Sequence, residues 1–169
     1  MIHLYSGNGK GKTTASIGMI VRLLNYNKKI LLVSFLKDGR SGEFLWLRNN
    51  SNVKQLYQED LKKFIKDMNE LEFKETKKQQ NELIDKTKLL AQDFDVIVLD
   101  EFIDIISLNI INEEKAIELL KSLAKDHEVI VTGHQATERL ISLADYYTEF
   151  IQHKHPFYQG VKAREGVEY

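Results

Sequence analysis

The chain has 169 residues, enough for one domain with a core of its own and too few for two of ordinary size. Apolar residues make up 43% and charged residues 29%, an ordinary globular balance, and the net charge of -1 gives no electrostatic reason to expect a nucleic-acid partner. The absence of cysteine excludes disulfides, thiolate zinc sites and a cysteine nucleophile, and fits a reducing compartment.

Met1 leads at once into an apolar strand, Ile2–Tyr5, without room for a signal peptide, so a cytoplasmic location is expected. The segment Ser6-Gly7-Asn8-Gly9-Lys10-Gly11-Lys12-Thr13-Thr14 follows, and Thr13–Asn25 then shows helical spacing with Ile17, Ile20, Val21 and Leu24 on one face. Strand, glycine loop and helix together build a cradle for phosphate oxygens. The glycines let successive N–H groups converge, and the helix start adds free N–H groups and the positive end of its dipole. Lys12 is expected to reach the outer phosphates, and the Thr13 hydroxyl to sit on Mg²⁺. Ser6 stands where the strict pattern has its first glycine, so the loop is a variant. Gly18 inside the helix costs about 1 kcal/mol relative to alanine, which suggests close packing against a sheet.

Ile30–Phe35 reads as a second strand, and its apolar run from Ile30 to Val33 is the mark of burial on both faces. A loop at Gly39 to Gly42 precedes a short amphipathic piece with Phe44, Leu45 and Leu47, where Trp46 is expected to pack. Val53–Tyr57 reads as a third strand, and residues 58 to 70 carry little pattern. A charged helix spans Glu70 to Gln92, with Phe73, Leu83, Ile84 and Leu90 as a sparse apolar stripe and lysines on a solvated face. Phe94–Asp100 is a buried strand ending in a carboxylate. Asn112 caps a helix carrying Ala116, Ile117, Leu119, Leu120 and Leu123; Val129–Thr132 is a strand, Thr137–Ala144 a short helix, and Tyr147–Ile151 a last strand. No apolar run is long enough to cross a bilayer.

This alternation specifies an α/β fold, a mostly parallel sheet with helices on both faces, of the P-loop (RecA-like) nucleotide-binding type. Ligands bind such sheets at the carboxyl ends of the strands, where the phosphate loop, Asp100 and Thr132 all fall. Asp100 and Glu101 are the carboxylates placed to anchor a magnesium ion that bridges nucleotide phosphates, with Glu101 also able to polarise a water. His153 and His155, two apart on an extended segment, would share a face but lack a third ligand, so they read as structural or as contacts to substrate or a partner subunit.

The loop Ser6–Ala15, the strand ending Val98-Leu99-Asp100-Glu101, and Val131-Thr132-Gly133 resemble the P-loop type of ATP:corrinoid adenosyltransferase. The tail, His153-Lys154-His155-Pro156-Phe157 through Gly160-Val161-Lys162-Ala163-Arg164 to Gly166-Val167-Glu168-Tyr169, resembles the same family and separates it from ordinary kinases. The resemblance runs over the whole chain and is weakest between about Ser51 and Ala91. It implies attack of a cobalt(I) corrinoid, cobalamin or a precursor, on the ribose 5′ carbon of ATP, with triphosphate leaving. It further implies that Gly7, Asn8, Gly9, Lys10, Gly11, Lys12, Thr13 and Thr14 hold the nucleotide. Thr13 with Asp100 or Glu101 would hold magnesium, and Lys12 and Glu101 would serve catalysis. Arg22 falls where the family has an arginine, Glu43 in a family Gly-Glu pair, and Phe64 is a candidate for the corrin face. His134 replaces the arginine that usually follows Thr-Gly, so a permanent positive charge is lost there. The resemblance also suggests a homodimer and a flavoprotein reductant. The other readings are a RecA-like nucleoside kinase, often built with a cysteine zinc ribbon that this chain cannot form, and a nucleotide-dependent switch or motor ATPase.

Overall fold

The computed structural model describes residues 1–61 and 63–167. Glu168 and Tyr169, the end of the tail motif, lie outside the described residues. The strands are β1 (Ile2–Ser6), β2 (Ile30–Ser34), β3 (Val53–Leu56), β4 (Val96–Asp100), β5 (Glu128–Thr132) and β6 (Tyr146–Glu149). They form one sheet in the order β3-β2-β4-β5-β1-β6, and every pairing is parallel. The helices are α1 (Lys12–Leu24), α2 (Gly42–Leu47), α3 (Glu70–Leu90), α4 (Phe102–Ser107), α5 (Glu113–Leu123) and α6 (Glu138–Leu143).

Alternate strand residues feed two cores, as a pleat requires. Ile30, Leu32, Val96, Val98 and Ile130 pack under Ile17 and Ile20 of α1 and Phe44 and Leu47 of α2. On the opposite face Leu31, Val33, Ile97, Leu99, Val129 and Val131 meet α3, α4, α5 and α6. β5 stands between β1 and β4, so the loop strand and the carboxylate strand are one strand apart, with both carboxyl ends at the same edge.

Local chemistry accounts for the helix starts. Asn69 and Glu72 form a reciprocal capping box on α3, Asn112 caps α5 through Glu114 N–H, and Thr137 caps α6 through Leu140 N–H. Strand and helix bounds agree with the sequence reading within about two residues, the ordinary uncertainty of element ends. The short helix α4 was not anticipated, because its six residues, four of them buried apolar side chains, make fewer than two turns and show no amphipathic stripe.

Four expectations need correction. Gly18 does not touch the sheet: a Cβ built there would meet nothing within 4 Å. The sheet-facing side of α1 is set by Ser16, Ile17 and Ile20, which leaves Gly18 and Arg22, four apart, on the outer face. Val21 is likewise exposed, at the margin of that buried face. Trp46 is 63% exposed, because Phe44 and Leu47, three apart on α2, take the inward positions. His153 and His155 are not on a strand: β6 ends at Glu149, and the His155 ring accepts from Phe157 N–H at the start of a 3₁₀ turn, Pro156–Gln159.

Among the described residues no helix is long and apolar enough to cross a membrane.

Candidate active site

A cavity of about 590 Å³ opens at the carboxyl edge of the sheet. The phosphate loop and the start of α1 line it from Gly9 to Thr14, opposite Lys37, Glu101 and His134. Glu43 lies on its wall, and the tail returns to it, with Gly166 and Val167 on the lining and Lys10 Nζ donating to Val167 O at 2.6 Å.

The loop is built differently from the sequence expectation. The N–H of Gly7 donates to His134 O, and that of Gly9 to Phe150 O, each at 2.7 Å, so neither converges on a ligand. Their glycine character serves close approach instead. Gly7 has φ 118°, and a Cβ there would lie 2.3 Å from Phe150 O. Phe150, just past β6, thus buttresses the loop. Gly11 enters α1 without a side-chain cap, which leaves the helix start with N–H groups suited to an anion. Lys12 is buried, and its Nζ donates to Gly9 O at 2.9 Å. Burial pushes the Lys12 ammonium below its usual range, against the pull of Glu101 and Asp104.

Asp100 is fully buried at the end of β4. Its Oδ1 accepts from Thr13 Oγ1 at 2.9 Å and Thr132 Oγ1 at 2.7 Å, while Oδ2 accepts from Lys37 Nζ at 2.7 Å. Lys37 Nζ also lies 3.1 Å from Glu101 Oε1 and 3.2 Å from Thr13 Oγ1. Burial disfavours its charge, but Asp100 and Glu101 outweigh that and raise its pKa. Glu101 adopts φ 60°, a costly backbone for a side-chain-bearing residue, which turns the chain sharply from β4 into α4. Its N–H donates to Thr132 Oγ1 at 3.0 Å, which helps hold that turn. Burial, and then a hydrogen bond with Asp104, push the Glu101 carboxyl up to about 7.

His134 Nδ1 lies 2.9 Å from Asp104 Oδ1 and 3.9 Å from Glu101 Oε2. Burial works to raise Asp104, but hydrogen bonds from His134 and Glu101 hold it below the usual aspartate range. The same bond to Asp104 raises His134. Asp104 on α4 thus favours the protonated form of the histidine at this position. Gly133, with φ 155°, lets this turn press on α4; a Cβ there would sit 2.5 Å from Ile103 Cβ.

Lys12, Thr13 and Glu101, each expected from the sequence, line the cavity with Gly9, Lys10, Gly11 and Thr14, and Asp100, also expected, is buried behind it, bonded to Thr13 and Lys37. Gly7 and Asn8 do not line the cavity, and Asn8 Oδ1 accepts from Gln152 N–H at 3.0 Å, tying the tail to the loop. Arg22 is exposed on the outer face of α1, and Phe64 is 77% exposed with Lys66 Nζ over its ring; neither reaches the cavity. Lys37 and Asp104 were missed. A lysine just past the carboxyl end of a buried, mostly apolar strand was the available signal for the first. The second lies on the unanticipated α4.

The family model for ATP:corrinoid adenosyltransferase BtuR/CobO/CobP matches residues 1–169. The chain belongs to that family. It is 27% identical to the corrinoid adenosyltransferase of Escherichia coli K12, over all of this chain and 85% of the relative. Identity is 30% with that of Pseudomonas aeruginosa, over 98% of this chain and 82% of the relative. With that of Sinorhizobium sp. it is 31%, over all of this chain and 80% of the relative. As a corrinoid adenosyltransferase family member the chain is a transferase that uses ATP and a reduced corrinoid as substrates; the kinase and motor readings are not favoured.

Proposed function

We propose that the cavity at the carboxyl edge of the sheet is where this adenosyltransferase cleaves the C5′–O bond of ATP. The observation that carries the assignment is that Lys12, Thr13 and Glu101 line one cavity, with Asp100 buried behind it and bonded to Thr13, in a chain of this family. The two electrons of cobalt(I) form the cobalt–carbon bond, the C5′–O bonding pair leaves with triphosphate, and cobalt becomes formally cobalt(III). The nucleophile brings no proton, so the protein needs no general base. Its tasks are alignment and absorption of the charge that grows on the leaving group. Lys12 and the N-terminal N–H groups of α1 face that charge, and a protonated His134 adds to the field.

The donor set suits magnesium: a hydroxyl and two carboxylates, with the Lys37 ammonium lying within 3.2 Å of all three as a stand-in cation. Thr13, Asp100 and Glu101 would hold it. When bound, it would neutralise triphosphate oxygens. Gly7 acts by shaping the loop and Asn8 by fastening the tail, while Arg22 and Phe64 stand outside the proposed site.

The proposal includes a cytoplasmic setting, which the lack of cysteine suits, and a flavoprotein that supplies the reducing electron. It also includes a homodimer, for which the wholly exposed edge strand β6, with Tyr146 and Tyr147, offers surface. The test is anaerobic incubation with MgATP and chemically reduced cobalamin. Growth of the cobalt–carbon absorption together with inorganic triphosphate is expected in wild type, and Asp100→Asn should lose both. Orthophosphate with unaltered corrinoid would refute the reaction; full activity in Asp100→Asn would refute the site.

A further inference from the structure

Lys37 belongs to neither the phosphate loop nor the acidic strand, yet its ammonium lies among the three side chains proposed to hold the divalent cation. The distances, 2.7 Å to Asp100 Oδ2, 3.1 Å to Glu101 Oε1 and 3.2 Å to Thr13 Oγ1, are those of ammonium hydrogen bonds. A magnesium ion on the same oxygens would stand about 2.0–2.1 Å from each. Two cations cannot share that nest, since like charges at such spacing, half shielded from water, repel strongly.

We infer that Lys37 is a tethered counter-ion that neutralises Asp100 and Glu101 until nucleotide brings its own divalent cation, then yields the nest and turns onto the triphosphate. The inference rests on the metal assignment proposed above. Lys37 itself lines the cavity, so an ammonium leaving Asp100 moves toward the space offered to phosphate oxygens. A bare divalent cation gives the displaced ammonium no such partner. The device therefore admits the metal–nucleotide complex and resists the metal alone.

Its placement is built into the fold. Between β2 and Lys37, Leu36 takes φ 54°, a costly conformation for leucine. Leu36 N–H donates to Gln80 Oε1 at 3.1 Å, and Gln80 Nε2 donates to Gln58 Oε1 at 2.8 Å. Both amides are buried, Gln80 completely, on the side of α3 that packs toward the sheet. Two buried polar side chains thus hold the turn that aims Lys37.

Manganese is the probe: without nucleotide its binding is followed by loss of the free aqueous ion's paramagnetic resonance signal, and with ATP, which itself chelates the ion, by the manganese retained with the protein on gel filtration against an ATP-only blank. Nucleotide-free wild type should bind Mn²⁺ weakly, and adding ATP should bring one ion into the site. Nucleotide-free Lys37→Met should bind one Mn²⁺ about tenfold tighter or better than wild type, and Asp100→Asn in that background should abolish the gain. If Lys37→Met melts lower than wild type, Mn²⁺ alone should raise its melting temperature and leave that of wild type unmoved. Equal Mn²⁺ affinity in wild type and Lys37→Met, or a Lys37→Met melt that Mn²⁺ does not raise, overturns the inference. Wild type that fails to take up Mn²⁺ with ATP instead overturns the metal assignment beneath it.

Discussion

Lys12→Ala separates catalysis from folding. In the structure the Lys12 ammonium donates to Gly9 O, and burial already works against its charge. Removing it should change unfolding free energy by about 1 kcal/mol or less, a lost hydrogen bond offset by relief of a buried charge. Turnover should respond far more. At about 4 Å and an effective dielectric near 20, an ammonium stabilises one unit of new negative charge by about 4 kcal/mol. With roughly two-thirds of a unit formed on triphosphate at the transition state, about 2.7 kcal/mol is lost, and the full unit sets the upper bound. That range is a fall of about 10² to 10³ in turnover, the magnitude found for removing an oxyanion donor. Charge already present on bound ATP affects ground and transition states alike and appears in KM. The assay is cobalt–carbon bond formation under anaerobic, saturating conditions, with thermal unfolding of the same preparation. Turnover within about fivefold of wild type with an unchanged melt would refute the assigned role.

Gly7→Ala should lower the melting temperature by at least about 4 °C, because φ 118° and a Cβ 2.3 Å from Phe150 O force the loop off its buttress; an unshifted calorimetric melt would contradict that packing. Gly18→Ala should do the reverse, raising the melt by about 2–4 °C with turnover unaltered, since an exposed helical position gains alanine's propensity and meets no neighbour. The pH dependence of stability has a worked sign. Glu101 and His134 both have folded pKa values above their unfolded ones, so each contributes stability that is fully present below its unfolded value and lost as pH rises through its folded value. For Glu101 the loss begins above about 4.5 and is complete past about 7, and for His134 it begins above about 6.5. Melting of the nucleotide-free protein should therefore fall from pH 6 to pH 8, and Glu101→Gln or His134→Ala should flatten the slope; an unchanged slope in both would refute the assignment.

The strand–loop–helix start and the apolar strand ending in Asp100 were legible because each is a local pattern with a local cause. A run buried on both faces must be apolar throughout, and a phosphate cradle must follow a strand and open a helix. The errors arose where direction mattered more than identity. Gly18 and Trp46 sit on short amphipathic stretches whose inward face is chosen by which neighbours reach the sheet first, and residue type does not reveal that choice. The tail histidines would share a face only on an extended strand, and the chain past β6 instead turns into the 3₁₀ segment that His155 caps.

Periodicity was enough to establish the α/β class, and chemistry confined to a few positions of the chain was enough to nominate Lys12, Thr13, Asp100 and Glu101 for the proposed site. The company they keep is set by the packing of the sheet. Lys37 lies 63 positions from Asp100 and His134 lies 30 from Asp104, and each pair meets because parallel strands bring distant segments to a common edge. Charge acts through space, so the field in the cavity is a property of that edge and cannot be read along the chain.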